Sequence, residues 1–284
     1  PQVQAYLQGA VSPRPIALSS TVDSNGRVNL SPFSFFNVFS ANPPILVFSP
    51  SRRVRDNTTK HTLDNVLEVP DVVINIVSYE MVQQTSLAST EYERGVNEFS
   101  KAGLTELKST LVKPPRVKES PVSFECKVNQ VIPLGHAGGA GNLVICEVLL
   151  IHIDERVLDD KGTIDPNKID TVARMGGDWY CRASGSAIFK VPKPLTTLGI
   201  GVDSIPDPIK SSGLLSGNEL GLLGNVEQLP SEDQIRSAGL EPVTRATIEK
   251  GVVAVMQAAK ELLASGDTNS AWLVLLAWLG QSQR

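Results

Sequence analysis

The clearest candidate for chemistry is the segment Phe48–Val66, with the sequence FSPSRRVRDNTTKHTLDNV. A buried-strand pattern ends there at Ser49-Pro50, three arginines follow, and Lys60-His61-Thr62 stands at or inside the start of a helix predicted over Thr58–Val66. Hydroxyl groups, a lysine and the free N–H groups of a helix start are what a phosphate monoester requires of its binding site. A solvated basic loop before an ordinary helix has the same composition, so the segment alone leaves both interpretations open.

A second candidate is the segment Arg27–Asn37, RVNLSPFSFFN. It places Ser31 and Ser34 among three phenylalanines and interrupts a strand pattern with Pro32. Irregular backbone of this kind leaves N–H and C=O groups with which a flat polar heterocycle can pair. A kinked, aromatic-rich core strand has the same sequence pattern, and most strands of this kind only pack in the core.

Other chemistries have weaker support. The glycine-rich stretch 135–141 lacks the Lys-Ser/Thr of a phosphate loop and has predicted strands on both sides, so a hairpin turn is expected. No metal site is expected, because the histidines do not share the close spacing of metal ligands. No disulfide framework is expected either, because the cysteines form no C-x-x-C pair. These residues are His61, His136, His152, Cys126, Cys146 and Cys181.

The composition limits the class of protein. The chain has 284 residues, of which 41% are hydrophobic, enough for a sizeable core. Its net charge of −4 has the wrong sign for duplex nucleic acid or an anionic membrane surface. The longest strictly apolar run, Ala271–Leu279, is shorter than the about 20 residues of a membrane helix. We therefore expect no nucleic-acid partner and no membrane partner. The three widely spaced cysteines indicate a reducing environment, so we expect a cytoplasmic location.

The elements that must position these segments are mainly strands. Residue patterns predict a closed or partly closed barrel of about six strands with short helices, from strand segments at 15–22, 27–31, 33–39, 45–48, 72–77, 120–132 and 142–153. After Val191-Pro192-Lys193-Pro194 the character changes, and helices are predicted over 241–264 and 270–279. We therefore expect a domain over residues 1–194 and a C-terminal helical extension over residues 195–284.

Taken in order, these segments resemble the flavin reductase-like, FMN-binding split-barrel family, especially its longer flavoredoxin-like members. The resemblance covers roughly residues 5–190. It is carried by SPRPIALSSTVDSNGRVNLSPFSFFN (12–37), PPILVFSP (43–50), KHTLDNV (60–66), DVVINIV (71–77), EVLLIHID (147–154) and ARMGGDWY (173–180).

The resemblance implies a mainly β, six-stranded split β-barrel that forms a homodimer with FMN near the subunit interface. It implies an FMN-dependent oxidoreductase that passes hydride or electrons between a small donor, NADH or NADPH among them, and an acceptor. By position, the flavin ring would face Thr21, Asn29, Leu30, Ser31, Phe33 and Ser34. The phosphate would lie on Ser49, Arg53, Lys60 and Thr62, and Arg14 would approach the cofactor.

The chain also departs from the family pattern. Where many short family reductases carry Gly-Asp-His, a motif associated with nicotinamide use, this chain has Gly135-His136 followed by glycines. A non-catalytic flavin-binding electron carrier or partner-binding module is therefore an alternative, with the C-terminal helices docking a partner. A pyridoxamine phosphate oxidase-like enzyme is a weaker alternative. Arg174–Tyr180 is predicted either to pack the barrel or to face a second substrate.

Overall fold

Asp23 begins a tight turn that joins the first two strands. Its carboxylate accepts hydrogen bonds from the backbone N–H groups of Asn25 (3.0 Å) and Arg27 (2.9 Å), and Gly26 adopts a left-handed φ of 79°. Glycine adopts this conformation at little cost, which is why the Asp-Ser-Asn-Gly sequence predicts a hairpin. The hairpin is present in the computed structural model, which describes residues 2–282.

The chain divides into two compact units, Pro1–Phe189 and Lys190–Arg284. The strands of the first unit are β1 (Ala17–Val22), β2 (Val28–Phe33), β3 (Phe36–Ala41), β4 (Pro44–Phe48), β5 (Asp71–Ile76), β6 (Glu106–Leu107), β7 (Arg116–Val117), β8 (Val122–Pro133), β9 (Asn142–Ile153), β10 (Val172–Arg174) and β11 (Tyr180–Arg182). Its helices are α1 (Gln2–Ala10), α2 (His61–Glu68), α3 (Val82–Leu87), α4 (Glu98–Ala102) and α5 (Pro166–Ile169).

Seven of these strands form one sheet, in the order β2-β1-β5-β8-β9-β4-β3, with every neighbouring pair antiparallel. The two edge strands, β2 and β3, are joined only by Ser34 and Phe35. Three Cα steps span at most roughly 11 Å, so the sheet must curl until its edges approach each other. The aromatic rings of Phe33 and Phe48 meet there with centroids 5.4 Å apart.

Two parts of the expected fold class need correction. The large sheet has seven strands rather than six and is not a closed barrel, and the break predicted at Pro32 lies instead at Ser34-Phe35, between β2 and β3. The protein is also a mixed α/β structure rather than a mainly β one, since helices are interspersed with the strands and make up the second unit. A large antiparallel sheet with short helices was predicted correctly.

Two clusters of buried side chains hold the helices of the first unit against the sheet. In one cluster, Leu63 and Val66 of α2 pack on residues of the sheet such as Phe48. In the other, Phe99 of α4 packs with Leu30 of β2. Helices α2 and α4 are thereby fixed next to β2, and the loops that lead into them come close together.

The two buried cysteines lie on neighbouring strands, Cys126 on β8 and Cys146 on β9. Burial, with a smaller contribution from Glu125, raises the pKa of Cys126 to about 12, and burial also raises the pKa of Cys146. Since the thiolate is the reactive form, neither thiol is activated. They are part of the core of the sheet.

Glu125 is a fully buried carboxylate on β8. It accepts hydrogen bonds from the backbone N–H groups of Thr110 (2.8 Å), Leu111 (2.6 Å) and Val112 (3.3 Å), and it lies 2.6 Å from Nε2 of His152. Burial acts to raise the pKa of Glu125, but these hydrogen bonds outweigh burial and hold it below its ordinary value. Glu125 therefore ties the loop at 109–112 to the sheet.

The second unit is helical. Its helices are α6 (Asp207–Lys210), α7 (Gly217–Gly224), α8 (Glu232–Leu240), α9 (Pro242–Glu249), α10 (Val252–Ala264) and α11 (Thr268–Ser282). The helix predicted over 241–264 is divided, because Gly251 adopts a φ of 94° between α9 and α10. Trp272 is buried in the core of this unit and donates its indole N–H to the Leu223 carbonyl (3.0 Å). No helix within residues 2–282 is long and apolar enough to cross a membrane.

Candidate anion-binding site

The loop from β4 to α2 carries the predicted phosphate-binding residues. Helix α2 begins at His61, three residues later than predicted, with Lys60 as its N-cap at φ −82° and ψ 145°. The preceding residues are held out of the helix because the Asp56 carboxylate accepts hydrogen bonds from the backbone N–H (3.0 Å) and the hydroxyl (2.7 Å) of Thr58. The loop therefore presents Lys60 at the helix start.

Lys60 lies in a small cleft between this loop, the edge strand β2 and the segment that leads from α3 to α4. The cavity volume is about 20 Å³, room for roughly one water molecule. The lining is mostly polar and consists of Asn29, Ser31, Arg53, Lys60, His61, Thr62, Ala88, Ser89, Thr90, Glu91, Tyr92 and Glu98.

Three cations converge on one carboxylate in this cleft. The carboxylate of Glu91 lies 3.0 Å from Nε of Arg53, 3.1 Å from Nη2 of Arg55 and 3.8 Å from Nζ of Lys60. Partial burial acts to raise the pKa of Glu91, but Arg53 and the other two cations outweigh it and hold the pKa below its ordinary value. Burial lowers the pKa of Lys60, and the charge of Arg53 adds to this effect while Glu91 opposes it. The cleft is thus a cationic site that binds an anion, here a side chain of the same protein.

Polar side chains of β2 and α2 are joined beneath the cleft. The side-chain amide of Asn29 donates a hydrogen bond to the hydroxyl of Thr62 (2.9 Å), which is only 1% exposed. In the same layer, Asn65 donates to the hydroxyl of Thr21 (3.1 Å). These bonds fix the first turn of α2 against the β1–β2 hairpin.

Glu98 of α4 fixes the backbone of β2 from the other side. Its carboxylate accepts a hydrogen bond from the backbone N–H of Leu30 (2.9 Å), a group that points away from β1. Burial raises the pKa of Glu98, and hydrogen bonds from backbone N–H groups oppose the shift. The edge of the sheet is therefore held in place where it borders the cleft.

The structure brings together five of the residues predicted for cofactor binding: Asn29, Ser31, Arg53, Lys60 and Thr62 all line the cleft. Thr21 and Leu30 lie in the layer beneath it, as partners of Asn65 and Glu98.

The other four predicted residues lie outside the cleft lining. Ser49 is buried, and its hydroxyl accepts a hydrogen bond from the backbone N–H of Asn142 (3.0 Å). The guanidinium group of Arg14 donates to backbone carbonyls, among them that of Met175 (2.8 Å). The ring of Phe33 packs against Phe48, and Ser34 lies in the short connection between β2 and β3. Their contact with a cofactor stays a prediction.

Sequence reasoning missed the segment 88–92 and Glu98. Glu91 stands in a charged stretch, TEYERG, between two short helices, and nothing in that stretch distinguishes a residue of the site from a solvated loop. The pairing with Lys60 depends on how α3 and α4 pack against β2, which local sequence does not encode.

Thr62→Val tests whether the layer beneath the cleft is structural. Valine has a similar shape but no hydrogen-bond acceptor, so the buried amide of Asn29 loses its partner. We expect the free energy of unfolding of the first unit to fall by about 1–3 kcal/mol, measured by urea denaturation. Thr90→Val, the same change at an exposed residue of the cleft, should have little effect. Equal stability of the two variants would contradict this role.

Comparison with known proteins identifies the family. Residues 10–167 match the model of the flavin reductase like domain. The chain is 41% identical over 183 residues to an uncharacterized protein of Aquifex aeolicus, covering 64% of this chain and 91% of that protein. It is 32% identical over 179 residues to the uncharacterized protein YwrF of Bacillus subtilis, covering 62% of this chain and 86% of that protein.

Solved structures agree. The crystal structure of nitrilotriacetate monooxygenase component B from Bacillus cereus is similar with a TM-score of 0.62 and 28% identity, covering 67% of this chain and 93% of that one. The structure of 2-nitrobenzoate 2-nitroreductase NbaA from Pseudomonas fluorescens is similar with a TM-score of 0.60 and 27% identity, covering 70% of this chain and 94% of that one. This protein therefore belongs to the flavin reductase-like domain family.

Proposed function

We propose that this protein is an FMN-dependent oxidoreductase that takes hydride or electrons from a small donor and delivers them to an acceptor. The observation that carries the proposal is the cleft in which Arg53 and Lys60 face the carboxylate of Glu91, with residues of α2 and β2 completing the lining. Bound FMN would supply the redox chemistry, accepting a hydride or electrons and passing them on.

The residues of the cleft fit a phosphate monoester. A phosphate group needs cations and hydrogen-bond donors, and the cleft offers the guanidinium group of Arg53, one ammonium group and the hydroxyls of Ser31, Ser89 and Thr90, with the exposed Arg55 next to it on Glu91. In this assignment Lys60 and Arg53 hold the phosphate. Ser49 and Thr62 would complete the phosphate site. The edge strand β2, fixed by Glu98, would align the flavin ring, with Thr21, Phe33 and Ser34 facing it, and Arg14 would approach the cofactor.

The electron donor in this proposal is NADH or NADPH. The names of two similar structures, a monooxygenase component and a nitroreductase, support a redox role for this chain. The test is the visible absorption spectrum of the purified protein during anaerobic addition of FMN and then of each nucleotide. We expect flavin bands that change on binding and bleach with at least one nucleotide. A protein that takes up no FMN would contradict the proposal.

A flavin-binding electron carrier is the second candidate. It is favoured by the hairpin Gly135-His136, which lacks the Gly-Asp-His motif associated with nicotinamide use. Flavin bands that form with FMN but persist with both nucleotides, and that bleach with dithionite, would favour this candidate.

A homodimer is part of the proposal. Leu149, Ile151 and Ile153 alternate along β9, and each is between 41% and 49% exposed, so one face of this strand carries an apolar stripe. A second copy of the chain would cover this stripe.

In the same proposal residues 1–194 form the flavin domain, residues 195–284 form a helical extension, and the protein is cytoplasmic. For the homodimer, light scattering after size-exclusion chromatography measures the molar mass of the assembly and so distinguishes one chain from two.

The ionisation of Lys60 predicts a pH dependence of FMN binding. Burial lowers the pKa of Lys60 in the free protein, and only the protonated ammonium group pairs with phosphate. Affinity should therefore be full below this pKa and should fall, by up to about tenfold per pH unit, as the pH rises through it. Lys60→Arg keeps its charge and should keep its affinity at alkaline pH. The affinity for riboflavin, which has no phosphate, is the control for ionisation of the flavin ring.

A further inference from the structure

The anion in the cationic cleft is the chain's own Glu91. Its carboxylate lies within 4 Å of Arg53, Arg55 and Lys60, with hydrogen-bond geometry to both arginines. The Glu91 carboxylate occupies hydrogen-bonding positions of both guanidinium groups, so a phosphate cannot pair with them in the same way while it is there. A phosphate that uses the same cations must therefore displace the Glu91 side chain.

The segment around Glu91 is built so that the side chain can leave while the backbone stays. Backbone hydrogen bonds from Ser89 to Ser86 (3.1 Å) and from Thr90 to Leu87 (3.1 Å) continue the end of α3. The Glu91 side chain is 40% exposed, whereas that of Arg53 is only 15% exposed. Rotation about its side-chain bonds moves the carboxylate into water, while Arg53 is still held by the Thr58 hydroxyl and the Thr59 carbonyl.

We propose that Glu91 is a displaceable counter-anion of the phosphate site, which pairs with its cations when flavin is absent and competes with the flavin phosphate when flavin is present. The proposal rests on the assignment of FMN phosphate to this cleft. A tethered competitor weakens binding of every anionic ligand by the same factor, because each ligand must break the same ion pairs. It also favours release of the flavin, since the carboxylate can pair with each cation as the phosphate leaves.

The presence of Glu91 suits a site that exchanges its flavin rather than one that holds it permanently. A site without an internal competitor leaves its cations unpaired when empty and retains its ligand. With Glu91, the cations of the empty site already have an anionic partner, and less free energy is gained on FMN binding. Glu91 thereby favours FMN as a ligand that enters and leaves during the working cycle.

The chain provides a matched control. Glu93 is two residues away, is exposed and makes no ion pair within the described residues. Glu91→Gln and Glu93→Gln remove the same charge from the same loop. Long-range electrostatics would therefore change similarly in both variants. Only Glu91→Gln removes the carboxylate that a ligand must displace from the cations.

The experiment measures dissociation constants of the full chain and both variants for FMN, riboflavin and inorganic phosphate, by flavin fluorescence and calorimetry. We expect Glu91→Gln to bind FMN and inorganic phosphate about three- to tenfold more tightly, with riboflavin unchanged and Glu93→Gln equal to the parent protein. Dissociation of FMN after dilution should be slower in Glu91→Gln. The unchanged riboflavin affinity also verifies that the variant is folded.

Other outcomes separate this inference from the proposed function. If Glu91→Gln binds FMN and inorganic phosphate no more tightly than Glu93→Gln does, Glu91 is not a counter-anion, and FMN binding by the parent protein still stands. If no variant binds FMN but inorganic phosphate binds more tightly to Glu91→Gln, the counter-anion is supported and the flavin assignment fails. A gain for riboflavin equal to the gain for FMN would overturn the displacement mechanism.

Discussion

Lys60→Ala is expected to raise the dissociation constant for FMN roughly tenfold to a hundredfold and to leave that for riboflavin unchanged. A hydrogen bond to a charged group is worth about 1.5–3 kcal/mol, and each 1.4 kcal/mol is a factor of ten in affinity. Lys60 stands at the start of α2, partly buried, and its only ion pair within the described residues is the long contact of 3.8 Å with Glu91. Its charge is therefore available to a ligand. Fluorescence titration of both flavins measures the effect.

The comparison of the two flavins decides where Lys60 acts. Riboflavin has the same ring as FMN without the phosphate, so a residue that contacts only the phosphate affects only FMN. Lys118→Ala is the matched control, because Lys118 is an exposed lysine whose side chain makes no ion pair in the described part of the chain. If Lys60→Ala weakened riboflavin as much as FMN, or weakened neither, the phosphate would lie elsewhere.

Glu125→Ala is expected to lower the free energy of unfolding of the first unit by about 3–5 kcal/mol, the range found when one partner of a buried charged network is removed. The substitution leaves three backbone N–H groups of residues 110–112 and the ring of His152 without their acceptor. Urea denaturation measures the loss. Glu93→Ala, at an exposed position, should change stability by less than about 0.5 kcal/mol. A similar small effect for both variants would contradict the role of Glu125.

The same carboxylate predicts the direction of a pH effect. The folded protein holds the pKa of Glu125 below its ordinary value, so its charged form stabilises the fold above that ordinary value. The contribution is lost as the pH falls through the lower, folded pKa. The stability difference between the parent protein and Glu125→Gln should therefore be constant near neutral pH and should shrink only in acid.

Much of the candidate site follows from local sequence. The polar residues Asn29, Ser31, Arg53, Lys60 and Thr62 stand out because hydroxyls, cations and a helix start occur together after a buried strand. Their types favour an anion-binding site, although a solvated basic loop has the same composition. The two hairpins, β1–β2 and β8–β9, are also local, since turn residues and alternating strands encode them directly.

The boundaries of the helices were less predictable, because local sequence patterns do not include the contacts and torsion angles that set them. Helix α2 begins at His61 and not at Thr58, because Asp56 binds Thr58 in the loop. The long helix predicted over 241–264 is interrupted after Glu249, because Gly251 adopts a conformation outside the helical region. In both cases a few specific hydrogen bonds or torsion angles decide where the helix begins or ends.

The sequence by itself determined which residue types are available for chemistry: a cationic, hydroxyl-rich segment and the polar residues of a strand, both within the residues that match the flavin reductase like domain. Only the tertiary structure decided which residue pairs with the cations of that segment. Glu91 is separated from Arg53 by 38 positions, and their salt bridge exists because α3 and α4 pack against β2. It likewise decided that the sheet curls, because β2 and β3 stand at opposite edges yet are joined by two residues. Charge is a property of single residues, whereas the pairing of charges depends on how distant segments pack.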